Sequence, residues 1–284
     1  MALKGGTSLS KVYGVIDRFS EDVDITLDYQ EFNDSFDPFA LGATKNQVKL
    51  FGKRLKARVA SYTREVVAPA LGAATERLAT VDRCTVQVGD DGEAVAFGYP
   101  SVVGEPHAYL KSDVLLEFGG RNVIVPSEEH QLIPDIATAV PGLEYPVAAV
   151  TVLSPMRTFW EKATLVHVEC HRRRLASRPD RLSRHWFDLA CLGRHDIGKA
   201  ALADRELLTD VVRHKKVFFN SEYANYDCCL DGRLRLVPDP DQLPGLQSDY
   251  TEMRRAGIVG IEAPDFDALM GRIRDLELDV NRRA

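Results

Sequence analysis

Polar and apolar residues alternate through Ser20, Asp22, Asp24 and Thr26 on one side and Val23, Ile25 and Leu27 on the other. A period of two belongs to a strand with unlike faces. Upstream, Leu3 and Lys4 lead into Gly5-Gly6, a strand tip followed by a tight turn, and residues 9–16 have the length of a short helix. A helical period follows at Val48, Phe51, Leu55, Val59 and Tyr62. It opens on Thr44-Lys45-Asn46-Gln47, the form of a capping box. Residues 81–88 and 93–99 are strand-like, joined by the hairpin turn Gly89-Asp90-Asp91-Gly92. Residues 109–118 give another strand, with Asp113, Leu115 and Glu117 on one face, and residues 141–152 a loop and a last strand. Ser154-Pro155 then opens a helix, Ser as N-cap and Pro at the first helical position. Its apolar stripe is Met156, Phe159, Trp160, Ala163, Val166 and Cys170. The remainder has helical spacing, with a linker at 238–244.

Composition narrows this picture. A chain of 284 residues, 45% hydrophobic, is long enough to bury a sizeable core in one or two domains. The net charge of −6 argues against a surface coated with nucleic acid but permits a local basic groove. Two gatherings of cations qualify. Lys45, Lys49, Lys53 and Lys56 fall on one side of the capped helix, and Arg172, Arg173 and Arg174 open an arginine-rich run to Arg184. Either could track phosphates or be a solvated face. Five cysteines without a Cys-x-x-Cys spacing suggest reduced thiols in a cytoplasmic protein. No apolar run approaches a membrane span, and no signal peptide precedes Gly5.

Two carboxylates one residue apart in a strand can hold divalent cations. Glycines opening a helix let backbone N–H groups approach a phosphate. His167 and His171 have zinc-ligand spacing. The segment is His-Val-Glu-Cys-His, without the general base of a zinc protease, and reads as a polar helix face.

Gly-Gly-Thr-Ser followed by Asp-x-Asp resembles the signature of DNA polymerase β-like nucleotidyltransferases. More narrowly, the stretch from Lys4 to Lys11 with that from Arg18 to Asp24 resembles the AbiEii/AbiGii toxin family, which includes the MenT toxins. Two further blocks carry the resemblance: residues 155–162 (Pro-Met-Arg-Thr-Phe-Trp-Glu-Lys) and residues 184–189 (Arg-His-Trp-Phe-Asp-Leu). Family members usually have helical sequence ahead of the glycine turn, which only Met1 to Lys4 precede here. The resemblance implies an α+β polymerase β-like nucleotidyltransferase core over residues 1–150, a mixed sheet with flanking helices. A helical domain over 151–284 would complete the active-site cleft.

The implied function is a toxin of a bacterial toxin–antitoxin or abortive-infection system. It would transfer nucleotides from a nucleoside triphosphate to an acceptor hydroxyl, the tRNA 3′ end being expected. By the same resemblance, Asp22 and Asp24 would hold Mg2+, with Glu117 as third carboxylate and Asp113 as its alternative. Gly5, Gly6, Thr7, Ser8, Lys11 and Ser20 would bind the nucleotide. Lys162 and Asp188 would act in catalysis, Asp188 holding Lys162 or substrate. An antitoxin from an adjacent gene would be the partner. The alternatives are a transferase acting on a small hydroxyl compound of antibiotic type, which needs no basic stripes, and a non-catalytic nucleotide-binding interaction protein.

Overall fold

Three residues suffice for a central strand when both faces are covered. β1 (Ala2–Lys4) pairs antiparallel with β2 (Asp22–Asp28) and parallel with β7 (Ala148–Leu153), and Ala2 and Leu3 are buried. The structure, a computed structural model, describes the chain apart from residues 33–35, 78–83, 101–112, 173–180 and 283–284. The remaining strands are β3 (Thr85–Val88), β4 (Ala94–Gly98), β5 (Asp113–Asn122) and β6 (Ser127–Leu132). They complete a mixed seven-stranded sheet in the order β3-β4-β5-β2-β1-β7-β6. Parallel pairing of β2 with β5 sets Asp24 opposite Glu117 and Asp22 opposite Leu115, so the alternation expected for β2 is realised.

The helices are α1 (Gly5–Lys11), α2 (Lys45–Tyr62), α3 (Ala68–Thr75), α4 (Ile136–Ala139) and α5 (Pro155–His171), followed by α6 (Ser183–Arg194), α7 (Asp196–Ala203), α8 (Arg205–Phe218), α9 (Leu243–Arg255) and α10 (Phe266–Arg282). Apart from a single bridge between Arg18 and Val259, no strand follows β7 among the described residues. α2 lies against one sheet face, where Leu27, Val59, Val95 and Phe118 form a core. Its Thr44 and Gln47 make the reciprocal capping box that their spacing predicts. The helices after β7 bury Trp160, Trp186, Leu208 and Tyr250 in the largest core, which also takes in Leu9 and Ile16.

Four sequence expectations are revised. The first helix starts on the glycine pair rather than at Leu9, because the chain must reverse directly after β1, and it ends at Lys11. β6 was not anticipated: Ser-Glu-Glu-His-Gln-Leu is a polar edge strand with little alternation. Ser154 stands at the N-cap of α5, but its side chain makes no capping bond. His167 is buried rather than part of a polar face. Its Nδ1 accepts from the Arg235 N–H at 2.9 Å and its Nε2 donates to the Asn225 carbonyl at 3.2 Å, a fully used neutral ring.

Burial holds His167 and His214 at about 4, below the usual histidine range. The unfolded chain binds these protons near pH 6.5 and the folded chain only near 4. Their contribution to stability is therefore complete above pH 6.5 and lost as pH falls toward 4, roughly 3 kcal/mol for each ring. Chemical denaturation at pH 7 and pH 5 should show the loss, and His214→Gln should shrink the difference by more than about 1 kcal/mol. An unchanged pH dependence in that variant would show that His214 is not buried in its neutral form.

Candidate active site

The strand order puts β1 beside β2, so the turn after β1 passes over the end of β2 that carries the carboxylates. Gly5 adopts φ +74°, and a Cβ there would lie 2.1 Å from Asp24 Oδ2. A Cβ on Gly6 would lie 2.3 Å from Arg18 Nη2 and 2.8 Å from Ser20 Oγ. The glycine pair is therefore needed for close approach, with Asp24, Arg18 and Ser20 occupying the space a side chain would take. The Thr7 hydroxyl donates to the backbone carbonyl of Asp22 and the Ser8 hydroxyl to that of Gly5. The Thr7 hydroxyl thus ties the turn to β2, and the Ser8 hydroxyl is used within the turn. Lys11 is engaged at the surface by Asp135.

Asp188 is fully buried in the first half of α6. It accepts from Arg18 Nε at 2.6 Å and Nη2 at 2.9 Å, and Lys162 Nζ lies 2.8 Å from its Oδ2. Burial alone would raise its pKa, but Lys162 and Arg18 outweigh it and hold the carboxyl well below the usual range. Lys162, only 7% exposed, is fixed by this contact. Arg184 does not pair with Asp188 one turn away; its Nη1 reaches Asp22 Oδ2 at 3.2 Å. Burial raises Asp24 above the usual carboxylate range, against the pull of Lys4, Lys162 and Arg184 and with a push from Asp22. The charges of Lys4, Lys162 and Arg184 thus all act on Asp24.

The structure brings Asp22, Asp24, Lys162, Asp188, Ser20 and the glycine turn together. Arg18 joins them without having been singled out for a role, and so does Arg184, the last residue of the arginine-rich run. Arg18 lies in the first matching block, but nothing local shows that a guanidinium pairs with a carboxylate 170 residues on. Glu117 sits in register with Asp24 but is exposed. Among the described residues no three His, Cys, Asp or Glu side chains converge as a metal site. Two adjacent hard oxygen donors, one destabilised as an anion by burial, nonetheless suit a hard divalent cation. Asp22 and Asp24 fit that group, and Glu117 stands opposite Asp24 on the neighbouring strand.

The lysine stripe of α2 proves concave. Lys45, Lys49, Lys53 and Lys56 line a groove of about 840 Å³ whose opposite wall includes Arg121 of β5 and Lys216 of α8. Arg172 lies elsewhere, paired with Glu169 and stacked on Tyr223, and Arg173 and Arg174 fall outside the described residues.

The chain matches, over residues 1–272, the family model described as nucleotidyl transferase AbiEii toxin, type IV TA system. Among solved structures it is similar to MenT4, a nucleotidyltransferase toxin from Mycobacterium tuberculosis H37Rv. The identity is 19% and the TM-score 0.50, over 98% of this chain and 74% of that one. At that identity the likeness bears on the fold alone. No curated protein matches the chain.

Removing the Asp188 charge strands two buried cations. Asp188→Asn should cost about 3–5 kcal/mol, whereas Lys162→Met, which leaves the Arg18 pair intact, should cost clearly less. The folded Asp188 pKa lies below its unfolded value. Its contribution is therefore complete above the unfolded value and lost only as pH falls toward the folded one, so the wild-type–variant gap should be constant between pH 7 and 5. Urea melts at both pH values read this directly; equal losses in the two variants would remove Asp188 from the centre of the network.

Proposed function

The chain belongs to the AbiEii family of nucleotidyltransferase toxins of type IV toxin–antitoxin systems, and we propose that it transfers a nucleotidyl group from a nucleoside triphosphate to the 3′ hydroxyl of tRNA. The observation that carries the transfer is the meeting of Asp22 and Asp24 with the Gly5-Gly6 turn, backed by Lys162 held on Asp188. The choice of a polyanionic acceptor rests on the groove lined by Lys45, Lys49, Lys53 and Lys56, which a transferase for a small hydroxyl compound would not need.

In this reading the acceptor oxygen forms a bond to the α-phosphorus as the bond to the β-phosphate oxygen breaks and pyrophosphate leaves. Asp22 and Asp24 would hold Mg2+, which when bound stabilises charge on the entering and leaving oxygens. Glu117, opposite Asp24 on β5, takes the acceptor proton and would complete the acceptor-side donor set. The backbone of Gly5 to Ser8 orients the triphosphate, with Ser20 at its edge. Lys162, immobilised by Asp188, needs no reorganisation to meet negative charge growing on the phosphates. Lys45, Lys49, Lys53 and Lys56 hold the acceptor's backbone. A cognate antitoxin from an adjacent gene is the expected partner, and the cytoplasm, where tRNA resides, the expected compartment. No helix among the described residues is long and apolar enough to cross a membrane.

Asp22→Asn and Asp24→Asn should each lower transfer from labelled triphosphate to total tRNA by more than about a hundredfold, with folding retained by circular dichroism. Near-normal transfer by either variant would end the two-carboxylate reading. Separately, reversing Lys49 and Lys53 to Glu should weaken RNA binding and lower its salt slope by about two, roughly one for each lost contact, while triphosphate affinity stays unchanged. Equal modification of RNA by this variant and wild type at moderate salt would return the lysines to a solvated face.

A further inference from the structure

Arg184 occupies an odd position for a helix-stabilising residue. It stands in the first turn of α6, which holds no acidic residue, and a cation at a helix N-terminus opposes the helix dipole. The backbone there is firmly seated. The N–H groups of Arg181 and Ser183 donate to the two carboxylate oxygens of Asp249 at 3.0 and 2.8 Å. Arg181 is held at φ +62°, uncommon for a residue with a side chain, and its guanidinium meets Glu21. One turn on, Asp188 is locked by Arg18 and Lys162. The mount of Arg184 is therefore fixed at both ends, and what can move is its long side chain. That side chain is 29% exposed and places Nη1 3.2 Å from Oδ2 of Asp22.

We propose that Arg184 is a stand-in cation: it neutralises Asp22 while no divalent ion is bound, yields the carboxylate to the ion, and then binds the phosphates of the incoming triphosphate. The inference rests on the reading of Asp22 as a metal ligand. The physical reason is that a guanidinium and a divalent ion cannot share one carboxylate oxygen in a poorly solvated site, where their repulsion is strong. A planar guanidinium released beside a triphosphate finds a bidentate partner. The carboxylate pair is thus spared an uncompensated charge in the empty enzyme, and nucleotide affinity becomes coupled to metal occupancy.

Mn2+ titrations followed by electron paramagnetic resonance, without nucleotide, test the first half. Arg184→Gln should bind Mn2+ on the order of tenfold tighter than wild type, and with Mn2+ present should bind a non-hydrolysable triphosphate on the order of tenfold weaker. Asp22→Asn is the control. If it binds Mn2+ as wild type does, the metal reading itself fails; if it loses Mn2+ while Arg184→Gln binds as wild type does, only the role of Arg184 fails. The wild-type protein gives a second measurement that no folding defect can obscure. Modification of Arg184 by phenylglyoxal, read by mass spectrometry, should speed up several-fold with Mn2+ and be suppressed when triphosphate is added. A rate indifferent to Mn2+ would overturn the proposal.

Discussion

The buried carboxylate of Asp188 is the point on which both halves of the site hang. Arg18 reaches it from the segment between α1 and β2, Lys162 from α5, and Asp188 itself sits on α6. Three charges are taken out of water, and their mutual attraction repays this only because the geometry is bidentate on one side and close on the other. As a device for stability alone it is a poor one, since well-packed apolar side chains of similar volume often do as well or better. What it achieves is position. Two cations around one anion leave a net positive charge, and Lys162 and Arg184 both act electrostatically on Asp24. A positive wall thus faces a negative strand, and Asp188 leaves Lys162 little freedom to relax.

The same economy of space governs the glycine turn. Glycine at positions 5 and 6 is required because Asp24 and Arg18 fill the volume a side chain would need. An alanine at Gly5 would meet both a left-handed φ and a carboxylate oxygen. The turn, the strand and the Asp188 network therefore constrain one another: moving Asp24 would open the turn, and moving Arg18 would unseat Asp188.

Local periodicity made part of this legible. The alternation of β2 fixed the shared face of Asp22 and Asp24, and the spacing from Thr44 to Gln47 fixed the start of α2. The matching blocks marked Lys162 and Asp188, and the resemblance offered Lys162 as one of two partners for Asp188; the structure shows them paired. Their contact, the Arg18 pair and the Arg184–Asp22 pair join residues far apart in sequence, and no period encodes them. Arg184 shows the difficulty best. It stands four residues before Asp188, an i,i+4 spacing that favours a pair within the helix, yet it crosses to Asp22 because Arg18 and Lys162 already saturate Asp188. The polar edge strand β6 escaped notice for a related reason, since an edge with little alternation looks like a loop.

One irregularity in the sheet relates the groove to the carboxylates. Between Thr26 and Asp28 β2 advances two residues while β5 advances three, from Gly119 to Asn122. Such a bulge re-aims the side chains beside it. Arg121 sits in this interval, near Gly52 of α2 and on the wall of the groove. Glu117, ahead of the bulge, stays in register with Asp24. A single strand thus carries a groove cation and the carboxylate opposite Asp24 four residues apart, roughly 13 Å along the strand. In a chain of net charge −6, that separation matters for the proposed acceptor. On the proposed reading a polyanion would be repelled by the surface as a whole and drawn to the groove lined by Lys45, Lys49, Lys53 and Lys56, with β5 spanning the short distance from its backbone to the carboxylates.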